Sequence, residues 1–317
     1  MIIHPMTTPI SSSPASPLNG LALLPHLGVI RAEGVDAASF LHNQLTQDFA
    51  LLGLGEARLC ALCTAKGRML ASFIGFKRSP TDILLVCSQD ILAATLKRLS
   101  MFVMRAKVKL SDASADFQIA GGTGIALDSV APTAQPVWSM SAMDGVNVIN
   151  LYPANGQHRA LWVAPSATPL PHPANLSAAQ WQWTEVQSGI VTLTQPIVEA
   201  FVPQMLNYES VGGVNFKKGC YPGQEIVARS QFRGTLKRRA FLVHADVEMQ
   251  AGQEVFTPND AEQPCGLVAL AAPAPGGGWD AMVSVQTAAV ESGLRLASAD
   301  GAALAVQPLP YALLEDI

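Results

Sequence analysis

No run in this sequence reaches the ~18 consecutive apolar residues that a membrane-spanning helix needs: Pro25 and His26 interrupt the first candidate, Pro273 and Pro275 the last. Charge is sparse as well. Charged residues make up 14% and hydrophobic ones 49%, which excludes the disordered class and leaves a chain able to bury a large core. The net charge of −4 supplies no long-range attraction for nucleic acid, so any polyanion must be met by a local basic patch. An even-numbered cysteine framework is missing too. Five cysteines spread over 317 residues, with no Lys or Arg before Arg31 to form a secretory leader, point to reduced thiols and a cytoplasmic setting. The Ser/Thr/Pro-rich stretch from Thr7 to Pro17 reads as part of a mobile arm covering residues 1–19.

Several common sites are excluded by their chemistry. Gly53-Leu54-Gly55 is followed by Arg58 where a third glycine would let a helix pack closely, and no Walker lysine loop occurs. None of the six histidines lies four residues from another, so a helical zinc site is not expected, and no metal is assigned. Cys60 and Cys63 form a lone CxxC. In a strand, residues three apart point to opposite faces, and no second pair follows, so burial is the expected role for both. Grouped thiols are too few for a resident iron-sulfur cluster held by this chain alone.

At this length two or three lobes are expected. Val29 to Glu33 reads as a strand, and Asp36 as the cap of a helix that buries Ala37, Phe40, Leu41 and Leu45. Arg58 to Cys63 and Met69 to Phe76 form two β-prone runs. The intervening Thr64-Ala65-Lys66-Gly67-Arg68 suits a hairpin with Gly67 in the left-handed region. A strand over Asp82 to Ser88, a helix carrying Leu92, Leu96, Leu99 and Val103, and a strand over Arg105 to Leu110 follow. Pro-rich connectors are expected at Ala131 to Pro136 and Ala164 to Pro173. Ser177 with Gln180 forms a capping box for a helix that Gly189 ends. Beyond Lys237, short apolar runs at Ala240 to Val243, Gly266 to Ala271, Met282 to Val285 and Ala302 to Val306 suggest an all-β module.

Charge concentrates in one place. From Lys217 to Arg239, seven basic residues (Lys217, Lys218, Arg229, Arg233, Lys237, Arg238, Arg239) face the single acid Glu225, a local +6. Cys220 sits there in the loop Lys218-Gly219-Cys220-Tyr221-Pro222-Gly223-Gln224-Glu225, where Gly219 and Pro222-Gly223 allow a tight turn and the lysines favour a thiolate. Two plainer readings stand beside this. A cysteine in a Gly/Pro turn is usually a small inert residue, and a basic run is usually a solvated face. Composition and spacing reach a reactive thiol near an anion site and go no further.

That octapeptide resembles the K-G-C-Y-x-G-Q-E signature of the YgfZ family of folate-binding proteins, distant relatives of the glycine-cleavage T-protein, an aminomethyltransferase. Gly34-Val35-Asp36-Ala37 with Phe40-Leu41, Gln44 to Asp48, the Lys66-Gly67-Arg68 hairpin, Phe201-Val202-Pro203-Gln204 with Asn207, and Gly212-Gly213 agree. The resemblance spans about residues 28 to 240. It implies an α+β fold, a three-lobed T-protein-like ring with two α/β lobes (residues 20–235) around a central folate hole and a C-terminal antiparallel β-barrel (236–317). It also implies tetrahydrofolate or a one-carbon derivative as cofactor and a role in assembling or repairing iron-sulfur enzymes, supporting tRNA methylthiolation, with those enzymes or their assembly proteins as partners. Cys220 and Lys218 are its catalytic candidates. Gly219, Tyr221, Gly223, Gln224, Glu225, Arg229, Ser72 and Gln187 are its cofactor-binding candidates. T-proteins place an Asp-Asp pair after the matching hairpin, whereas here the positions read Ala71-Ser72, so aminomethyl transfer by that carboxylate is not expected. A folate-dependent one-carbon transferase would need Asp48, Asp82 or Glu199 instead. A nucleic-acid module using Lys217 to Arg239 would have only Tyr221 and Phe232 for stacking.

Overall fold

A computed structural model describes residues 18–127, 135–232 and 236–314. The expected N-terminal arm up to residue 17, most of the first Pro-rich connector and Arg233 lie outside the described residues. In chain order the elements are β1 (Gly20–Leu23), β2 (Leu27–Glu33), α1 (Ala37–Gln44), β3 (Ala57–Cys63), β4 (Met69–Ser79), β5 (Asp82–Ser88), α2 (Gln89–Ser100), β6 (Lys109–Asp112), β7 (Phe117–Thr123), β8 (Met140–Met143), β9 (Val146–Ala154), β10 (Gln157–Pro165), α3 (Ala178–Gln187), α4 (Gln224–Phe232), β11 (Arg238–Ala245), β12 (Glu254–Phe256), β13 (Gly266–Pro273), β14 (Trp279–Gln286), β15 (Leu294–Leu296) and β16 (Ala303–Gln307).

These strands form three sheets. One runs β3-β4-β5-β2-β6, a second β1-β7-β10-β9-β8, and the third closes into a barrel, β11-β14-β13-β12-β15-β16. The α+β class and the C-terminal antiparallel barrel are therefore as the sequence implied. Helix α2 lies on the first sheet through Ile91, Leu92, Thr95 and Leu99. The main core joins that sheet to the barrel. Leu62, Phe73 and Leu85 share it with Trp183 of α3, with Leu206 and Tyr208 from the connecting chain and with Ala240, Leu242 and Met282 of the barrel. The capping box of α3 is present, with Ser177 and Gln180 each bonding the other's backbone.

Several local expectations need correcting. Asp36 precedes α1 but makes no side-chain cap; its carboxylate accepts the Lys107 N–H at 2.7 Å. That pins residues 105–108 off the sheet, so β6 starts at Lys109 and not at Arg105, pairing with Ile30 to Glu33 of β2. Cys60 and Cys63 are both buried, as expected of them. Both thiols lie in the main core, where burial raises both, Cys63 to about 12; the β3–β4 register shifts between Leu62 and Cys63, with Leu70 of β4 the extra residue. The signature octapeptide is not loop throughout, because α4 begins at Gln224.

Candidate functional site

The octapeptide is bolted onto the β3–β4 hairpin. The hairpin closes through Thr64 N–H to Arg68 O at 2.8 Å and Gly67 N–H to Thr64 O at 2.9 Å, with Gly67 at φ 72°. Gly223 has φ 82° and sits against this turn so closely that a Cβ would strike the Thr64 carbonyl oxygen and lie 2.8 Å from Gly67 Cα and N. Helix α4 then packs by Val227, which is buried, and Gln204 donates its Nε2–H to the Val227 carbonyl at 2.6 Å. On the other side, Thr46 donates its hydroxyl to Gly213 O at 2.7 Å and accepts the Asn215 N–H on its own carbonyl at 2.9 Å. The loop before Cys220 is thereby tied to the end of α1.

Within this frame the five cysteines separate cleanly: Cys60, Cys63, Cys87 and Cys265 are buried, and Cys220 is exposed. Lys218 is buried, donates to Gly219 O at 3.1 Å and holds its ammonium 4.5 Å from the centre of the Tyr221 ring. Burial lowers the Lys218 amine to about 8, with Asp48, Cys220 and Cys60 acting in the opposite direction. Burial likewise lowers Lys77 on β4, against the attraction of Asp48. Burial works against the charge of Asp48 itself, but the Leu51 N–H and the His42 ring outweigh it and hold the carboxyl below its ordinary range. His42, at the end of α1, lies with Nδ1 3.0 Å from Asp48 Oδ1.

The candidates named from sequence are not all brought together. Lys218, Gly219, Cys220 and Tyr221 are contiguous, and Gly223 with Gln224 starts α4 beside them. Glu225 and Arg229 are exposed on α4 and pair with each other at 3.6 Å. Ser72 lies buried on β4, its hydroxyl accepting the Leu193 N–H at 2.8 Å. Gln187, also buried, donates to Asp280 of the barrel at 2.8 Å, sharing that carboxylate with Trp183 at 2.7 Å. The basic run does not form one face. Arg239 is buried against Glu209 at 2.7 Å and Arg238 donates to Cys265 O, which leaves Lys217, Arg229 and Lys237 exposed among its described members. Of the three alternative carboxylates, Asp82 is engaged by Arg31 through two hydrogen bonds at 2.9 and 3.0 Å, and Glu199 is exposed, its backbone N–H donating to Met69 O. Only Asp48 stands near Lys218.

Two groups had no local signal in the sequence. His42 and Asp48 are six residues apart, a spacing that no helix face brings together, and they meet because the chain turns after α1. Trp138, Tyr152 and Tyr311 form a half-buried edge-to-face row with centroids 5.9 and 5.8 Å apart. Trp138 donates to Val211 O and Tyr311 to Gly189 O, so the row joins the second sheet, the connecting chain and the tail after the barrel.

No protein-family model matches the chain. The tRNA-modifying protein YgfZ of Edwardsiella ictaluri is 30% identical over 304 residues, covering 89% of each chain. The chain belongs to the YgfZ family. A YgfZ protein of Yersinia enterocolitica is 27% identical over 333 residues and 97% of each chain, and a Haemophilus influenzae protein without assigned role is 29% identical over 291 residues, covering 90% of this chain and 96% of that one. Among solved structures, the glycine-cleavage aminomethyltransferase T of Bartonella henselae superposes with a TM-score of 0.68 over 92% of this chain and 86% of that one at 16% identity, a likeness of fold. Among the described residues of this YgfZ family member, no helix is long and apolar enough to cross a membrane, and no three His, Cys, Asp or Glu side chains gather as a metal site.

Proposed function

We propose that this chain is a tetrahydrofolate-binding accessory factor for the assembly or repair of iron-sulfur enzymes, supporting tRNA modification, with Cys220 as its working thiol. The observation that carries the reading is the isolation of that thiol: one cysteine of five is exposed, and it lies in an octapeptide locked against the β3–β4 turn. A thiol that must meet a partner protein needs exposure and a fixed frame together. The names of the YgfZ relatives support the tRNA link, and the T-protein-like fold supports folate.

The chemistry present suits a pterin. The Trp138–Tyr152–Tyr311 row offers π faces at the junction of the lobes, and the buried Glu209 Oε2 is without a partner among the described residues, an acceptor for an amino group. Ser72 and Gln187 would act on the folate side only by giving up or sharing their bonds to Leu193 and Asp280. The role of Cys220 is tested by Cys220→Ala, which should bind tetrahydrofolate like the parent yet fail to restore iron-sulfur enzyme activity in cells lacking their own homologue. Full restoration by that variant would refute it.

A further inference from the structure

The reading of Cys220 as the working thiol leaves open what takes its proton, and the wall of the loop supplies a group for that. The Asp48 carboxylate, ionised and fixed by the Leu51 N–H, can only accept. His42 therefore donates from Nδ1 across 3.0 Å, which in the neutral ring leaves the lone pair on Nε2 at the far side. That nitrogen faces Gly219: a Cβ placed there would have His42 Nε2, at 3.4 Å, as its one neighbour within 4 Å apart from the flanking residues. Gly219 differs from Gly67 and Gly223 in a telling way. Its φ is outside the left-handed region, it is exposed, and no backbone crowds it, so neither conformation nor packing demands glycine. What the missing side chain does is keep the imidazole open beside the residue that bears the thiol, whose Cα is about 3.8 Å from its own.

Resting on the reading above, we propose that His42, oriented by Asp48, is the proton acceptor of the Cys220 site, and that Gly219 keeps its Nε2 clear for the thiol and the group the thiol attacks. The chemistry is nucleophilic attack on a soft electrophile. The Sγ–H proton passes to Nε2, sulfur bonds to the electrophilic atom, the leaving group departs with its bonding pair, and Asp48 stabilises the imidazolium. The other charged groups facing this pair are Lys218, on the loop, and Lys77, on β4, both beside Asp48. Lys218 is the competing base.

The test is the rate of iodoacetamide alkylation at Cys220, followed by intact mass across the imidazole pH range without folate. There the C–S bond replaces C–I, and iodide leaves. His42→Ala should slow alkylation at neutral pH roughly tenfold, less than the ~10²-fold that base assistance gives in an optimised active site, and flatten the low-pH limb of the profile. Added imidazole should restore the rate in that variant, which a merely structural role would not allow. Gly219→Ala should be slowed similarly, and the double variant no further. A His42→Ala profile superimposable on the parent, or a profile shifted by Lys218→Gln and untouched by His42→Ala, would overturn the proposal. Because folate is absent, the result stands apart from whether the chain binds folate or supports iron-sulfur enzymes.

Discussion

Replacing Gly223 by alanine tests how firmly the Cys220 loop is locked to the hairpin. At φ 82°, any side chain incurs left-handed strain, about 1–2 kcal/mol. The added methyl would also meet the Thr64 carbonyl and the Gly67 backbone at 2.8 Å, atoms that cannot rotate aside. Overpacking of that kind costs about 1–3 kcal/mol, so the total is about 2–5 kcal/mol. Gly156→Ala is the control: its φ is 72° and nothing lies within 4 Å, so only the conformational part, about 1–2 kcal/mol, should appear. Urea denaturation of both variants gives the difference, and hydrogen exchange at residues 64–68 and in α4 localises it, since a chain of three sheets need not unfold as one unit. Equal destabilisation of the two variants, with unchanged exchange at the hairpin, would refute the interlock.

Native protein should take up one equivalent of iodoacetamide, and denatured protein five, because four of the five thiols are buried; mass spectrometry reads both, and rapid native labelling of a second cysteine would contradict the burial. Lys218 should make stability rise with alkaline pH. Its amine titrates near 8 when folded against 10.5 ordinarily, so between those values the unfolded chain binds more protons and folding gains as pH increases. Lys218→Met should remove that part of the rise in denaturation midpoint, and parallel pH curves for parent and variant would count against it. Arg239→Met strands the buried Glu209 carboxylate and should cost about 3–5 kcal/mol, whereas Arg239→Met with Glu209→Leu should cost less, as denaturant titration would show.

Much of this architecture is legible from local signals. The β3–β4 turn needs a left-handed residue and has Gly67; α3 begins at a capping box; the barrel strands contain the apolar runs seen after Lys237. The second sheet left no such trace. Strand β7 carries Gly121 and Gly122, which look like a turn, yet Gly121 is there because Trp181 packs where its side chain would be. Strand β9 hides behind Asn147 and Asn150, buried polar residues that break the apolar pattern; the Asn150 amide is satisfied by Ser139, just before β8, and by His158 of the neighbouring strand β10. The octapeptide identified the family and the thiol, but the helix starting inside it was masked by Pro222-Gly223. The pairing of His42 with Asp48 depends on the turn after α1, and that of Gln187 with Asp280 on how α3 meets the barrel, and spacing encodes neither.

The proposed function stands on folate binding, so folate affinity is the measurement that matters most. Equilibrium titration of the full chain with tetrahydrofolate, with and without a polyglutamate tail, should give saturable one-to-one binding in the micromolar range, about −8 kcal/mol. Absence of saturation up to millimolar ligand would contradict the account.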